Sequence, residues 1–159
     1  MRIALDTNVL LRLDDSGHVQ HADALSAVEE LAANGHEMIL VPQVLYEYWV
    51  VATRPAEVNG LGLDAARADQ LISEWLNVFT LLRDERKVFR FWRELVTRHD
   101  VKGKNAHDAR IVAAMQRHCV SHLLTLNVAD FTRFTVIQAW ALVDILSGKH
   151  TLLGLPNGT

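Results

Sequence analysis

A chain of 159 residues, half of them hydrophobic, holds enough apolar material for one well-filled core and too much for a disordered polymer. Its formal net charge of −3 argues against a protein that coats nucleic acid through bulk charge, while leaving room for a local basic patch used with bound cations. One cysteine, Cys119, excludes an internal disulfide and points to a reducing compartment. No Cys/His cluster has zinc spacing, no basic-then-apolar leader is visible, and the apolar runs are too short or too charged to span a membrane. A cytoplasmic protein with no membrane partner is expected.

Along the chain, Ile3 to Leu5 reads as a buried parallel strand ended by Asp6, and Asp6-Thr7-Asn8 reads as a helix start. Val9 to Leu13 supplies one or two helical turns before Asp14-Asp15-Ser16-Gly17 breaks them. Ala22, Leu25, Val28 and Leu31 recur at helical spacing within 18–34, and Asn34-Gly35 offers a left-handed exit. Met38 to Val41 is a second buried strand, and Pro42 opens a helix that runs to about Thr53. Residues 54–63 form a loop, the expected point of insertion. A helix over 64–79, a short strand over 79–82, and helices over 84–99 and 105–118 follow, then strands at 123–126 and 135–137 around a helical turn at Asp130-Phe131. Strands alternating with helices predict a parallel sheet of four to five strands with helices on both faces. The main domain is expected to span 1–138. Residues 139–159 form a C-terminal extension packed on it: 139–146 is apolar enough for a helix or an extra strand, and the end from Gly154 is expected to fray.

Four acidic residues share one context, at or just past the carboxyl end of a predicted strand or early in the helix that begins there. They are Asp6, Glu47, Asp108 and Asp130. Each has an ordinary explanation: Asp6 and Asp130 as helix caps, Asp108 as a favourable charge at a helix N-terminus, Glu47 on a narrow solvated face. Strand ends in open α/β sheets, however, face the crevice where ligands bind, and the placement recurs four times. Carboxylates from four distant segments repel at short range, and a divalent cation is the usual reason to gather them. Oxygen donors without a cysteine suit Mg²⁺ or Mn²⁺, which leaves positions open for phosphate-containing substrates and for an activated water. The residues thus point to metal-assisted phosphodiester hydrolysis.

The blocks Asp6-Thr7-Asn8-Val9-Leu10, Glu47, His107-Asp108-Ala109 and Thr125-x-Asn127-x-x-Asp130-Phe131 resemble, in that order, a PIN domain. More narrowly, the chain resembles the VapC toxins of bacterial type II toxin–antitoxin pairs over residues 1 to about 137. The resemblance implies a three-layer α/β/α fold and a Mg²⁺- or Mn²⁺-dependent endoribonuclease acting on tRNA, rRNA or mRNA. By matched position, Asp6, Glu47, Asp108 and Asp130 form the acidic quartet, with Asp6 and Asp108 touching the metal directly. Thr7, Asn8, Thr125 and Asn127 orient these carboxylates through hydrogen bonds. Where some PIN domains carry a further carboxylate two residues past the threonine, this chain has Asn127, so Asp130 reaches a metal through water. The resemblance also implies a homodimer and a cognate VapB-type antitoxin. The helices at 18–33 and 42–53 are candidate contact surfaces or plain core helices.

The segment 83–104 holds eight of the 16 Lys and Arg residues. It reads mainly as a solvated helix face paired with Asp84, Glu85 and Glu94, with Lys102 and Lys104 at its end as candidate contacts to RNA phosphates. Trp49, Trp75, Trp92 and Trp140 fall at core helical spacing, Cys119 reads as core filler, and His107 as a neighbour that shapes the site. Two other functions fit the same blocks: a PIN nuclease of RNA maturation without an antitoxin, and a silent PIN scaffold that binds without cutting. Phosphatases with a strand-end Asp nucleophile fit less well, because Asn8 stands where their second Asp is expected.

Overall fold

The computed structural model describes residues 1–150; the end from Gly154 lies outside them. The chain begins with β1 (Arg2–Leu5), α1 (Thr7–Asp14), α2 (His21–Ala33), β2 (Glu37–Leu40) and α3 (Pro42–Thr53). A 3₁₀ turn at Ala56–Val58 leads to α4 (Ala65–Val78), β3 (Thr80–Leu81), α5 (Arg86–Arg98) and α6 (Asn105–Arg117). The remaining elements are β4 (His122–Leu124), α7 (Val128–Phe131), β5 (Gln138–Trp140) and α8 (Leu142–Leu146).

The five strands form one parallel sheet in the order β3-β2-β1-β4-β5, flanked by helices in a three-layer α/β/α arrangement. β1 lies at its centre, with Ile3 opposite Met38 on one side and His122 on the other. Ile3, Ala4 and Leu5 are fully buried, which explains an uninterrupted apolar run where a one-sided sheet would alternate. From β1 the chain builds outward through β2 and β3, then returns to place β4 and β5 on the other side. The strand order therefore reverses between β1 and β4, and a crevice opens beyond their carboxyl ends. Two backbone bonds carry the ladder past the strands to that rim: Asp6 N–H donates to Leu124 O (3.0 Å) and Thr125 N–H to Trp140 O (2.9 Å).

Several expectations shift. The fifth strand is Gln138–Trp140, not 135–137: backbone bonds from Phe134 to Phe131 and from Ile137 to Phe134 curl that stretch into turns. The apolar stretch after Ala139 supplies both a strand end and α8, whose Leu142 and Ile145 are buried and which packs on α2. The loop at 54–63 is present as expected and is tied back to α3. Leu61 and Leu63 N–H groups return to Val51 and Ala52 of α3, and Gly62 N–H returns to Arg54 O. Gly60 passes so close to Arg54 that a Cβ there would sit 1.9 Å from its carbonyl oxygen. Trp140 is a buried strand residue, and Cys119 is exposed in a left-handed turn (φ 55°) after α6, not core filler.

Candidate active site

Asp6 caps α1 and lies at the floor of the crevice, only 6% exposed. Its Oδ1 accepts the Thr7 N–H at 2.7 Å, and its Oδ2 accepts from Asn8 Nδ2 (2.8 Å) and Thr125 Oγ1 (2.6 Å). Asp6 is thus both the cap of α1 and a lining residue of the crevice, with both of its oxygens taking donors. Thr125 is fully buried beneath it and receives the N–H of Asn127 at 3.0 Å, while Asn8 Oδ1 accepts the Leu126 N–H at 3.1 Å. The turn after β4 is thus stitched to the turn after β1. Thr7 faces the other way, its hydroxyl donating to Val44 O at 3.4 Å.

All four acidic side chains line one cavity of about 270 Å³: Asp6 from the end of β1, Glu47 from α3, Asp108 from the first turn of α6 and Asp130 from α7. Thr7, Asn8, Lys104, His107 and Asn127 line it with them. Thr125 acts from below the wall. Lys102 does not line the cavity; its ammonium pairs with exposed Asp100 at 2.8 Å. The partners of Asp84 and Glu85 also differ from expectation. They are Arg110 (2.7 Å) and Arg117 of α6, and only Arg90–Glu94 (3.7 Å) pairs within the basic helix.

Gln43 was not foreseen. It is buried at the first turn of α3, where its Nε2 donates to Glu47 Oε1 (2.9 Å) and approaches His107 Nδ1 (3.2 Å). The amide so placed bridges the carboxylate of one helix and the imidazole of another. The signal in the sequence was the spacing: Gln43 stands four residues before Glu47 on one helical face.

The carboxylates pay for this company in their affinity for protons. Burial pushes the Asp6 carboxyl up to about 6, against the lowering effect of its three donors and with the Glu47 charge adding to it. Burial, then the charges of Asp6, Glu47 and Asp130, push Asp108 up to about 7, with Lys104 opposing. Ionised carboxylates lining one crevice repel one another, and a divalent cation bound there would relieve that repulsion. The all-oxygen donor set fits Mg²⁺ or Mn²⁺. Among the described residues no three His, Cys, Asp or Glu side chains converge closely enough to cage a metal by themselves.

Fold and crevice together define a class: a small parallel α/β domain whose acidic side chains, drawn from four separate segments, meet where the strand order reverses. The chain belongs to the PIN domain family, whose model matches residues 3–142. No curated protein matches it. Among solved structures, it is similar to a chain of VapBC2 from Rickettsia felis bound to a promoter DNA fragment, at 17% identity and a TM-score of 0.67, covering 89% of this chain and 98% of that one. VapBC-1 from nontypeable Haemophilus influenzae gives 15% identity and a TM-score of 0.67, over 90% of this chain and 99% of the other. VapC20 of Mycobacterium tuberculosis, a toxin that cleaves the sarcin–ricin loop, gives 20% identity and a TM-score of 0.57, over 76% and 86%. At such identities the likeness is one of fold. No helix among the described residues is long and apolar enough to cross a membrane.

Proposed function

We propose that this chain is a divalent-metal-dependent endoribonuclease and the toxin of a type II toxin–antitoxin pair. The observation that carries the reading is the meeting of Asp6, Glu47, Asp108 and Asp130 in one crevice at the switch point of the sheet. Membership of the PIN family supports nuclease chemistry, and the toxin–antitoxin complexes among the similar structures support a VapB-type antitoxin; a homodimer is part of the same proposal. When bound, Mg²⁺ or Mn²⁺ activates water for in-line attack on phosphorus and neutralises the leaving oxygen. Asp6 and Asp108 would hold the cation, with Glu47 and Asp130 placed to ligate it or to position its waters. Thr125, Asn8 and the Thr7 amide fix the Asp6 carboxylate in one rotamer, so it need not reorganise during reaction. Gln43 does the same for Glu47. Lys104, at the mouth, offers a cation to an RNA phosphate.

The test is incubation of the purified chain with total cellular RNA in Mg²⁺, in Mn²⁺ and in excess chelator, followed by sequencing of the new 5′ ends. Cleavage at discrete sites is expected with either metal and not with chelator. Asp6→Asn and Asp108→Asn are expected to abolish it while the fold persists. Cleavage that survives both substitutions, or that ignores the chelator, overturns the assignment. A short adjacent upstream gene encoding a DNA-binding protein is the expected genomic companion.

A further inference from the structure

A second cavity, of about 440 Å³, adjoins the acidic crevice and shares one wall with it, the His107 side chain. Its size falls within the range of small-ligand pockets, about 300–1,000 Å³. On one side stand Phe89 and Trp92 of α5, their rings 5.7 Å apart and tilted by 33°. Trp92 is held by an indole N–H donated to Ala106 O at 2.8 Å. Phe89 is 63% exposed, in contrast to the buried Val88 and Leu95 that anchor the same helix. An aromatic ring left largely in water beside a fixed indole presents a flat apolar surface that the described residues leave uncovered.

The polar groups around this surface show what fits it. Arg110 is already engaged with Asp84 at 2.7 Å, and Glu85 with Arg117, so the charges at the rim are mutually neutralised. A phosphate group finds no unpaired cation inside; a flat, uncharged ring finds an apolar face and a rim of hydrogen-bonding groups. The free cations lie outside. Arg86, Arg90 and Arg93 share one exposed face of α5 with Phe89, at helical spacing. Arg86 and Arg93 make no ion pair with any described residue, whereas Arg90 pairs loosely with Glu94. Aromatic rings bordered by arginines are the usual arrangement for single-stranded nucleic acid, with bases on the rings and phosphates on the guanidinium groups.

Building on the endoribonuclease reading, we propose that the Phe89–Trp92 cavity is a stacking subsite for an unpaired base of the RNA next to the scissile phosphate. The shared His107 wall sets the geometry. Held to Gln43 through Nδ1, the ring stands where a strand would pass from cavity to crevice. Substrates that splay a base out of a loop are then favoured over continuous duplex, because a stacked base pair cannot enter the cavity.

The experiment uses the full chain and single-stranded oligoribonucleotides spanning a mapped cleavage site, each with one abasic nucleotide at a position flanking the scissile bond. Phe89→Ala is expected to lower kcat/KM on the intact oligonucleotide about 10-fold, the effect of losing one base–aromatic stack, and Phe89→Trp to preserve it. Removing the base at one flanking position is expected to cause a similar loss in the unsubstituted chain and no further loss in Phe89→Ala, since the two changes delete the same contact. Equal cleavage by Phe89→Ala and the parent chain, or additive losses at every abasic position, overturns the subsite while leaving the nuclease intact. Loss of dimer or of antitoxin affinity in Phe89→Ala with unchanged kcat/KM makes the surface a protein interface and also overturns it. Failure of the unsubstituted chain to cut any RNA instead removes the nuclease reading, and the subsite with it.

Discussion

Asp6→Asn is expected to make the metal-free protein more stable while it removes activity. The Asp6 carboxyl is raised from 3.8 to about 6, chiefly by burial. At about 1.36 kcal/mol per pKa unit, the ionised form costs the fold about 3 kcal/mol. The direction follows from the raised value: the contribution of Asp6 to stability is fully present below about pH 4 and is lost as pH rises through about 6. Asparagine cannot ionise, so it escapes this loss. It can still accept the Thr7 N–H, but its amide meets the Asn8 amide donor to donor, a mismatch worth about 1–2 kcal/mol. The net gain is about 1–2 kcal/mol at about pH 8, or about 2–8 °C in Tm for a chain of this size. Circular dichroism melts in chelator across about pH 4–8 read it directly. The advantage of the variant should shrink as pH falls and reverse near the acid end, where Asp6 is protonated and makes its native bonds. Added Mg²⁺ should raise the Tm of the parent chain and leave the variant unmoved. A variant that melts lower than the parent by the same margin at every pH refutes the reasoning, because Asp6 would then be an ordinary cap.

Thr125→Val removes the hydroxyl that donates to Asp6 and accepts from Asn127 N–H, so cleavage should fall about 10- to 100-fold with the fold retained. Because that hydroxyl lowers the Asp6 pKa, the acid limb of the pH–rate profile should also move to higher pH. Tyr48→Phe deletes the donor to the Asp14 carboxylate, which burial already holds above its ordinary range. The denaturant midpoint should fall, corresponding to about 1–3 kcal/mol, with activity per folded molecule unchanged. Gly60→Ala places a methyl group against the Arg54 carbonyl and should lower Tm by an amount corresponding to about 1–3 kcal/mol. Alanine at Gly35, where nothing lies within 4 Å, is the control for backbone strain without a clash.

The parallel sheet was legible because β1, β2 and β4 are short apolar runs whose burial on both faces leaves no alternation to confuse with a helix. The four acidic residues were legible for a related reason: strand ends point at the crevice, and position alone brought them there. What depended on long-range partners was not legible. Thr135-Val136-Ile137 has strand composition, yet Thr135 and Val136 are exposed, and pairing with β4 begins at Gln138, whose N–H reaches Ser121 O at 2.8 Å. The partners of Asp84 and Glu85 come from α6, beyond the reach of any helical-neighbour rule. Gln43 looked like a generic first-turn residue, and its bridge to His107 spans 64 positions. Trp92 reads as a core residue and Phe89 carries no signal of its own; the packing of α5 on α6 is what leaves the Phe89 ring largely exposed beside the indole.

The central position of β1 also orders the birth of the molecule. A chain emerging from a ribosome presents Asp6 first, but the hydroxyl that clamps it is 119 residues away. β4 and Asp130 come out later still than α3 and its Glu47. The acidic crevice therefore cannot close in a nascent fragment that stops short of β4 and Asp130, and its closure waits on a contact 119 residues apart in sequence, a slow kind to form. For a protein proposed to cut RNA, β4 and α7 must be made before the product can harm the machinery making it. An antitoxin has the same interval in which to meet it.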